Sequence, residues 1–439
     1  TAISIPHCYI SIILFKGIET MTGVIRNRVA RIGISLFAGA LAMAYSTDKA
    51  LAADTFVDAL TGGKPVADLR LRYESVDQAG LSNDADALTL RTRVGYGTAD
   101  WQGLSAAFAV ENISALGSED YNDTINGKST FPTIADPETT EVDTAWIRYT
   151  GLANTSLTYG RQKVILDNAR FVGNVGFRQN QQTFDGLVAS NSSLPKTTLI
   201  YGYVYNVNRI FGDDASLGDL STRTHLVNIS NQSFKPVKIT GYGYFLDVHR
   251  VASLSTRTLG LRLTGKQNLP GDEFKLLYAV EYARQSDYAD NTANIGLDYK
   301  LLEPGIAWKS LVVKAGYEIL EGDGTTGFST PLATLHAFQG FTDKFLSTPA
   351  NGIEDKYLKA VLTIPLDGPL KGSKIAAQYH DLKAENGGSN YGSEWNFALS
   401  KGFKTDFGKM GLALKYADYD ADTFATDTQK IWLSVSYKY

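Results

Sequence analysis

Cysteine is almost absent: the only one in 439 residues is Cys8, near the beginning of the chain. Downstream of it, a disulfide framework, a zinc-thiolate centre and a thiol nucleophile are all excluded. No apolar run reaches the ~20 residues that a membrane-spanning helix needs. There is no heptad repeat and no low-complexity block. Methionine is scarce, with 3 residues. An excess of positive charge is also missing. Residues 1–52 hold five of the 42 basic residues and two of the 46 acidic ones. That leaves 37 against 44 for the remainder, a net of −7. Such a balance argues against general nucleic-acid binding.

What is abundant is tyrosine, at 24 residues, and glycine, at 41. Apolar content (44%) and charge (20%) are ordinary, which excludes a disordered chain. Aromatic and Gly abundance with little Met suggests a β-protein with many turns.

The beginning has the plan of a secretory leader. Met21 is the first methionine, followed by Arg26, Arg28 and Arg31. An apolar run, IGISLFAGALAMAY (32–45), comes next, then the small-x-small site Ala50-Leu51-Ala52. That run is too short to anchor in a bilayer. The expected organisation is an upstream extension at 1–20, a signal peptide at 21–52 and one domain at 53–439.

From there one unit recurs: about ten residues of alternating character, then a turn. Ala67, Leu69, Leu71 and Tyr73 oppose Asp68, Arg70 and Arg72. Leu88, Leu90, Val94 and Tyr96 oppose Thr89, Arg91 and Arg93. Leu199, Tyr201, Tyr203 and Tyr205 oppose Ile200, Gly202, Val204 and Asn206. Phe274, Leu276, Tyr278, Val280 and Tyr282 oppose Lys275, Leu277, Ala279 and Glu281. The pattern predicts about 18 strands. A soluble sandwich or propeller would also alternate, but its polar face would look outward and be rich in Lys and Glu. Here the polar face carries rows of Arg and Gly, as a crowded lumen would. Connections alternate short and long, with long ones near 114–141, 163–182 and 320–352. The expected fold class is therefore all-β: a transmembrane antiparallel barrel with short periplasmic turns and long extracellular loops. Hydrocarbon forces closure, because an open edge would leave backbone groups unpaired.

The last segment, QKIWLSVSYKY (429–439), is then the closing strand, expected to pair with the first near Val66–Glu74. Ile431, Leu433, Val435, Tyr437 and Tyr439 would face lipid, with Trp432 the exception on the other parity. Tyr437 and Tyr439 resemble the aromatic signal read by the barrel-assembly machinery, with Tyr where Phe is usual. The segment 322–352 is unusually apolar for a loop. Leu332, Leu335, Phe338, Phe341 and Phe345 recur at three or four, predicting a short helix folded onto or into the barrel mouth.

Two segments, YGRQKVILDNARFVGNVGFRQNQQTFDG (159–186) and TPLATLHAFQGFTDKFLSTPANGIEDKY (330–357), go beyond generic barrel grammar. They resemble the alginate export family of outer-membrane porins. The matching residues are Arg161, Gln162, Arg170, Gly173, Gly176, Arg178, Gln179, Phe184 and Asp185 in the first. In the second they are Pro331, Leu332, His336, Gly340, Asp343, Phe345, Gly352 and Asp355. Phe177 stands where Trp is expected. The resemblance implies an 18-stranded barrel with an arginine-bearing lumen, with Arg161, Arg170 and Arg178 among its lining. It implies a passive outer-membrane porin for small or oligomeric anionic solutes, such as uronate-type sugars. The alternative is a dedicated exporter of an anionic polysaccharide such as alginate. The expected location is the outer membrane of a Gram-negative bacterium. Expected partners are membrane lipid and lipopolysaccharide, the assembly machinery, and small anionic or sugar solutes.

On the lumen parity, Arg70, Arg72, Arg91 and Arg93 lie on two neighbouring strands, joined by Arg148, Arg262, Lys275 and Lys314. Rings of Arg or Lys select for anions. The same residues could instead pair with Asp68, Glu74, Glu111, Glu281 and Glu318 as wall networks, and both readings stay open. His336, Asp343 and Asp355 are expected to anchor the inward loop. His336 with Asp343 or an isolated His380 could make a hydrolase, but no segment presents a recognisable Ser–His or Asp–His pair at a mouth. Asp418, Asp420 and Asp422 copy the opening of a calcium loop, without the Gly and Glu that complete one. No cofactor and no catalytic residue are expected.

Overall fold

The structure is a computed structural model that describes residues 53–439. The leader, the upstream extension and Cys8 lie outside the described residues. A single helical turn, α1 (Phe56–Thr61), comes first, capped by Thr55 and Asp58 in a reciprocal box. Eighteen strands follow. They are β1 (Lys64–Gln78), β2 (Ala85–Gly97), β3 (Leu104–Ala115), β4 (Thr139–Tyr149), β5 (Thr155–Gln162) and β6 (Thr183–Asn191). Next come β7 (Thr197–Asn208), β8 (Asp219–Asn231), β9 (Val237–Leu246), β10 (Thr256–Asn268), β11 (Phe274–Asp287) and β12 (Gly296–Trp308). The last are β13 (Leu311–Leu320), β14 (Ile353–Thr363), β15 (Lys374–Lys383), β16 (Asn390–Thr405), β17 (Gly408–Ala421) and β18 (Thr428–Lys438).

Every strand pairs antiparallel with its neighbours in chain order, and β1 pairs with both β2 and β18. The sheet is thus a closed cylinder. Its seam runs in register from Asp68 opposite Lys438 to Gln78 opposite Thr428. Beyond it the Tyr439 amide donates to the Ala67 carbonyl at 2.9 Å. The last strand closes against the first, as its alternation required.

The two faces are inverted relative to a soluble protein. Apolar side chains on the outer parity are bare: Ile147 is 61% exposed, and Phe108, Tyr159 and Leu358 are also exposed. Charged side chains on the inner parity are covered, with Arg72 and Glu74 each 1% exposed. A soluble sandwich would bury the first set. Only a hydrocarbon surround makes this arrangement stable. Connections at one end are short, such as 98–103, 150–154, 309–310 and 406–407. At the other end three are long: 116–138, 163–182 and 321–352. The helix expected in the last of these is reduced to one 3-10 turn at Leu335–Ala337. Its apolar residues recur at helical spacing without forming a helix, and meet separate partners on the wall and on the other inward loop.

Candidate functional site: the obstructed lumen

The loop 163–182 leaves β5, travels round the inside of the wall and returns at β6. Arg170 Nε donates to Glu318 on β13 at 2.8 Å. Phe171 packs on Tyr242 of β9 and Tyr299 of β12. Phe177 meets Trp432 on β18 edge-on. Arg178 Nη1 donates to Glu74 on β1 at 3.0 Å. Gln179 Nε2 donates to Thr89 Oγ1 on β2 at 2.8 Å, and Gln181 donates to Asp143 on β4.

The loop 321–352 fills the space beside it. Glu394 on β16 accepts from the Phe341 amide, the Thr342 amide and the Thr342 hydroxyl. Gly340 comes so close to that carboxylate, at φ +93°, that a side chain there would strike it. Phe345 packs among Tyr391, Tyr419 and Phe424. The two loops are tied to each other. The Gly173 amide donates to the Leu332 carbonyl at 2.8 Å, and the Thr334 amide to the Ala169 carbonyl at 3.0 Å. Arg178 Nη2 donates to Asp343 at 3.1 Å. A buried apolar cluster of Phe171, Phe328, Leu332 and Phe345 with wall tyrosines completes the packing.

The lumen arginines hold this obstruction. Arg70 donates to the Gln179 side chain and to the Gly176 and Arg178 carbonyls. Arg72 donates to the Phe177 carbonyl and to Asp136 in the 116–138 loop. Arg91 and Arg93 lie between Asp68, Glu111 and Asp143, with Arg91 to Asp68 at 2.5 Å and Arg93 to Asp143 at 2.9 Å. Arg262 pairs with Glu281, and Lys314 with Glu303 at 2.6 Å. A guanidinium suits this task, since its planar fork bonds carbonyls and carboxylates together. Of the two readings of these charges, the geometry is that of paired networks for Arg72, Arg91, Arg93, Arg262 and Lys314, whereas Arg70 bonds only loop carbonyls and Gln179. Arg148 differs: it donates to the Thr158 hydroxyl, lies over the Trp146 ring and forms no ion pair. Lys275 also lies on the lumen face, in register with Asn268 and Ala307.

Arg161 as a lining residue and Asp355 as a loop anchor need correction, though the parity of Arg161 with Leu157 and Tyr159 already points it outward unless Gly160 bulges. The weak calcium candidate finds no support. Arg161 is not a lumen residue: it is in register with Asp185, on the face that carries Tyr159 and Leu187, and binds that carboxylate with two nitrogens. Gly160 beside it has φ +117°, but the irregularity does not turn Arg161 inward. Asp355 is not a loop anchor. It lies in β14 and accepts from His380 Nδ1 on β15 at 2.9 Å. Asp418 and Asp420 lie within β17 and Asp422 just after it, where Asn390 binds it. An extended strand does not curl three carboxylates around one ion.

His336 and Asp343 are 2.8 Å apart through Nδ1. Burial pushes the imidazole down to about 3, against the pull of Asp343, so it stays neutral. Its Nδ1 then carries the proton toward the carboxylate, leaving Nε2 as an acceptor.

One feature of the lumen was legible only in part: Lys275 and Lys314 fall on the expected lumen parity, but the row they belong to is longer. Lysines line its inner face near the short-turn end: Lys238, Lys266, Lys275, Lys314, Lys359, Lys374, Lys404, Lys409 and Lys438. Lys404 is directly opposite Lys409, and Lys409 opposite Lys438; Lys314 is opposite Lys359. Lys438 pairs with Asp68 at 3.2 Å and Lys314 with Glu303. Lys374, Lys404 and Lys409 are exposed and form no ion pair among the described residues. The signal was available. Each falls on lumen parity, but at the strand ends, where the turn's own charges hide it.

A closed cylinder with an apolar outer wall, a charged interior and loops folded into it is a porin-type transmembrane barrel. Solved structures agree on that class. The chain is similar to OccAB4 of Acinetobacter baumannii, with a TM-score of 0.67 and 15% identity over 86% of this chain and 98% of that one. It is similar to OpdL of Pseudomonas aeruginosa, with a TM-score of 0.65 and 15% identity over 86% and 99%. The third is OpdK of the same organism, crystallised with vanillate, at 0.66 and 14% over 86% and 98%. OpdK is described as an outer membrane protein. At such identities the likeness is one of fold. No family model and no curated protein matches the chain. The resemblance to the alginate export family thus holds for barrel type and has no support beyond it.

Proposed function

We propose that the chain is a passive outer-membrane channel for small anionic solutes. The observation that carries this is the lysine arc at the short-turn end of the lumen. Charges on one face of a confined passage concentrate ions of opposite sign there. Arg72, Arg91, Arg93, Arg178 and Arg262 contribute little to that field, because neighbouring carboxylates neutralise them. Lys374, Lys404 and Lys409 are not neutralised, so the net field at that end is positive.

The similar OpdK has been crystallised with vanillate, an aromatic carboxylate. Uronate-type sugars carry the same charged group and are the solutes to try first. A dedicated polysaccharide exporter is not favoured, since two long loops are folded into the lumen and bonded to the wall on several strands. His380 and His336 each already hold a carboxylate through Nδ1. Neither has a nucleophile beside it, so a hydrolase gains no support.

The test is a planar-bilayer recording under a salt gradient. The expected result is anion preference, with glucuronate and vanillate reducing chloride current when added to one side. Cation preference, or no conductance at all, overturns the reading.

A further inference from the structure

Lys415 on β17 is half-buried and forms no pair with a carboxylate. Its ammonium sits 3.5 Å from the Phe341 ring centre, 4.4 Å from that of Phe177 and 5.5 Å from that of Trp432. Nζ also donates to His336 Nε2 at 2.6 Å. The box comes from four separate places: Phe177 from the 163–182 loop, His336 and Phe341 from the 321–352 loop, Trp432 from β18. His336 and Phe177 are themselves stacked, ring centres 3.5 Å apart and planes 9° from parallel.

Taking an ammonium out of water without a counter-charge is costly. A methionine would fill the same space without that cost. What the ammonium adds is attraction to three ring faces and to one imidazole lone pair, all at once. Those groups belong to both inward loops. The box is also where the loops end and the open lumen begins. On the same inner face Lys415 is in register with Ala398, and the next positions toward the short-turn end are Ala413, Ser400 and Ser434. These small side chains are partly exposed.

We propose that Lys415 positions the constriction: its ammonium clamps both inward loops to the β17–β18 wall and so sets the open area of the channel. The proposal rests on the channel reading above. Lys415 acts through the loops and not on the solute. Removing it loosens the segments around Phe177, His336 and Phe341, while Arg170–Glu318, Arg178–Glu74 and the Glu394 contacts keep the rest of both loops on the wall.

The test uses the full chain in planar bilayers, with Lys415→Met, Lys415→Arg and Phe341→Leu. Lys415→Met is expected to raise the occupancy of larger conductance levels roughly tenfold, a change of about 1.4 kcal/mol. Its anion-to-cation permeability ratio should stay within about twofold of wild type, because the short-turn lysines set that field. Lys415→Arg keeps a cation that binds ring faces and should restore the quiet trace. Phe341→Leu keeps the lysine and removes the nearest ring, and should show the same excursions as Lys415→Met. If Lys415→Met folds into no stable barrel, Phe341→Leu alone decides the matter. A Lys415→Met channel with lost anion preference and unchanged fluctuations would make the residue a field charge and overturn the proposal. So would Phe341→Leu traces identical to wild type. A wild-type chain that never conducts would instead defeat the channel reading itself.

Discussion

The division between paired arginines and unpaired lysines predicts which charges set ion selectivity. Consider Lys374, Lys404 and Lys409 replaced together by glutamate. Lys404 and Lys409 are directly opposite each other, Lys374 stands one strand away, and all three are exposed. An ion passing ~10 Å from each feels roughly 0.4 kcal/mol per charge in water, before screening. At physiological salt the Debye length of about 8 Å cuts this to nearly a third. Reversing three charges then changes the energy of a monovalent ion by about 0.7 kcal/mol, with opposite signs for anion and cation. The permeability ratio should shift about tenfold toward cations. At ~0.01 M salt, where the Debye length is about 30 Å, the shift should exceed a hundredfold. The reversal potential under a salt gradient measures it directly. Arg91 and Arg93 changed to glutamate should behave differently. Each would face Asp68, Glu111 and Asp143 across a buried contact, and the barrel should fail to assemble. The reasoning is refuted if the triple lysine variant keeps its reversal potential while a folded Arg91 and Arg93 variant inverts it.

Other outcomes follow from the loops. Glu394→Gln keeps the shape but weakens the acceptor for two amides and a hydroxyl of the 321–352 loop, at about 1–3 kcal/mol. A cysteine placed at Ala337 should then react faster with a thiol reagent than in the parent, and an equal rate would count against the contact. Gly340→Ala combines a clash with Glu394 and a positive φ, so it should release the same loop by ~1 kcal/mol or more. Acid should loosen the loops as well. His336 is neutral when docked, with a value near 3 against an ordinary 6.5, so the docked state resists a proton that the undocked state accepts. Docking is therefore fully stable above pH ~6.5 and loses about 1.4 kcal/mol per pH unit below it, down toward 3. Facing groups are Asp343 on the same loop, Arg178 on the other and Lys415 on the wall. Conductance noise should rise between pH 6 and 4, and His336→Asn should remove the dependence. A pH-independent wild type would contradict the assignment.

The strands were legible because hydrocarbon imposes a strict rule on every second residue. Ile431, Leu433 and Val435 alternate with Lys430 and Ser434, and no other arrangement satisfies both faces. The inward loops were legible only as apolar anomalies. Phe338, Phe341 and Phe345 mimic helical spacing, yet they meet separate partners, Arg170 of the other loop, Lys415 of β17, and Tyr391 with Tyr419, and no local periodicity encodes such partners. Asp136, Asp143 and Glu394 were missed for the same reason. Each is an ordinary acid in sequence and acquires its role only when a distant loop arrives. Trp432 was visible as an apolar residue on the wrong parity. Its reason, the box around Lys415, required two loops to be in place.

The lumen uses its two cations for different work, and the physical chemistry of each explains where it sits. Arg70 and Arg72 on the wall bond groups of the inserted loops, and Arg178 on a loop bonds Glu74 on the wall, where several fixed acceptors lie within reach of one planar fork. Desolvating a guanidinium costs less than desolvating an ammonium, so arginine suits the crowded level. Lys404, Lys409 and Lys374 stand at the open end, where a hydrated point charge on a flexible stem keeps its water and its field. Placing lysines directly opposite each other costs repulsion in the wall. That cost is small in water and would be prohibitive among the loops. Lys415 and the buried Lys430 break the division, being ammoniums at the crowded level. Lys415 sits among three rings and an imidazole nitrogen together. On the proposed channel reading the two tasks would be separate: arginine pairs would fix the shape of the passage, and free lysines would decide which ions enter it.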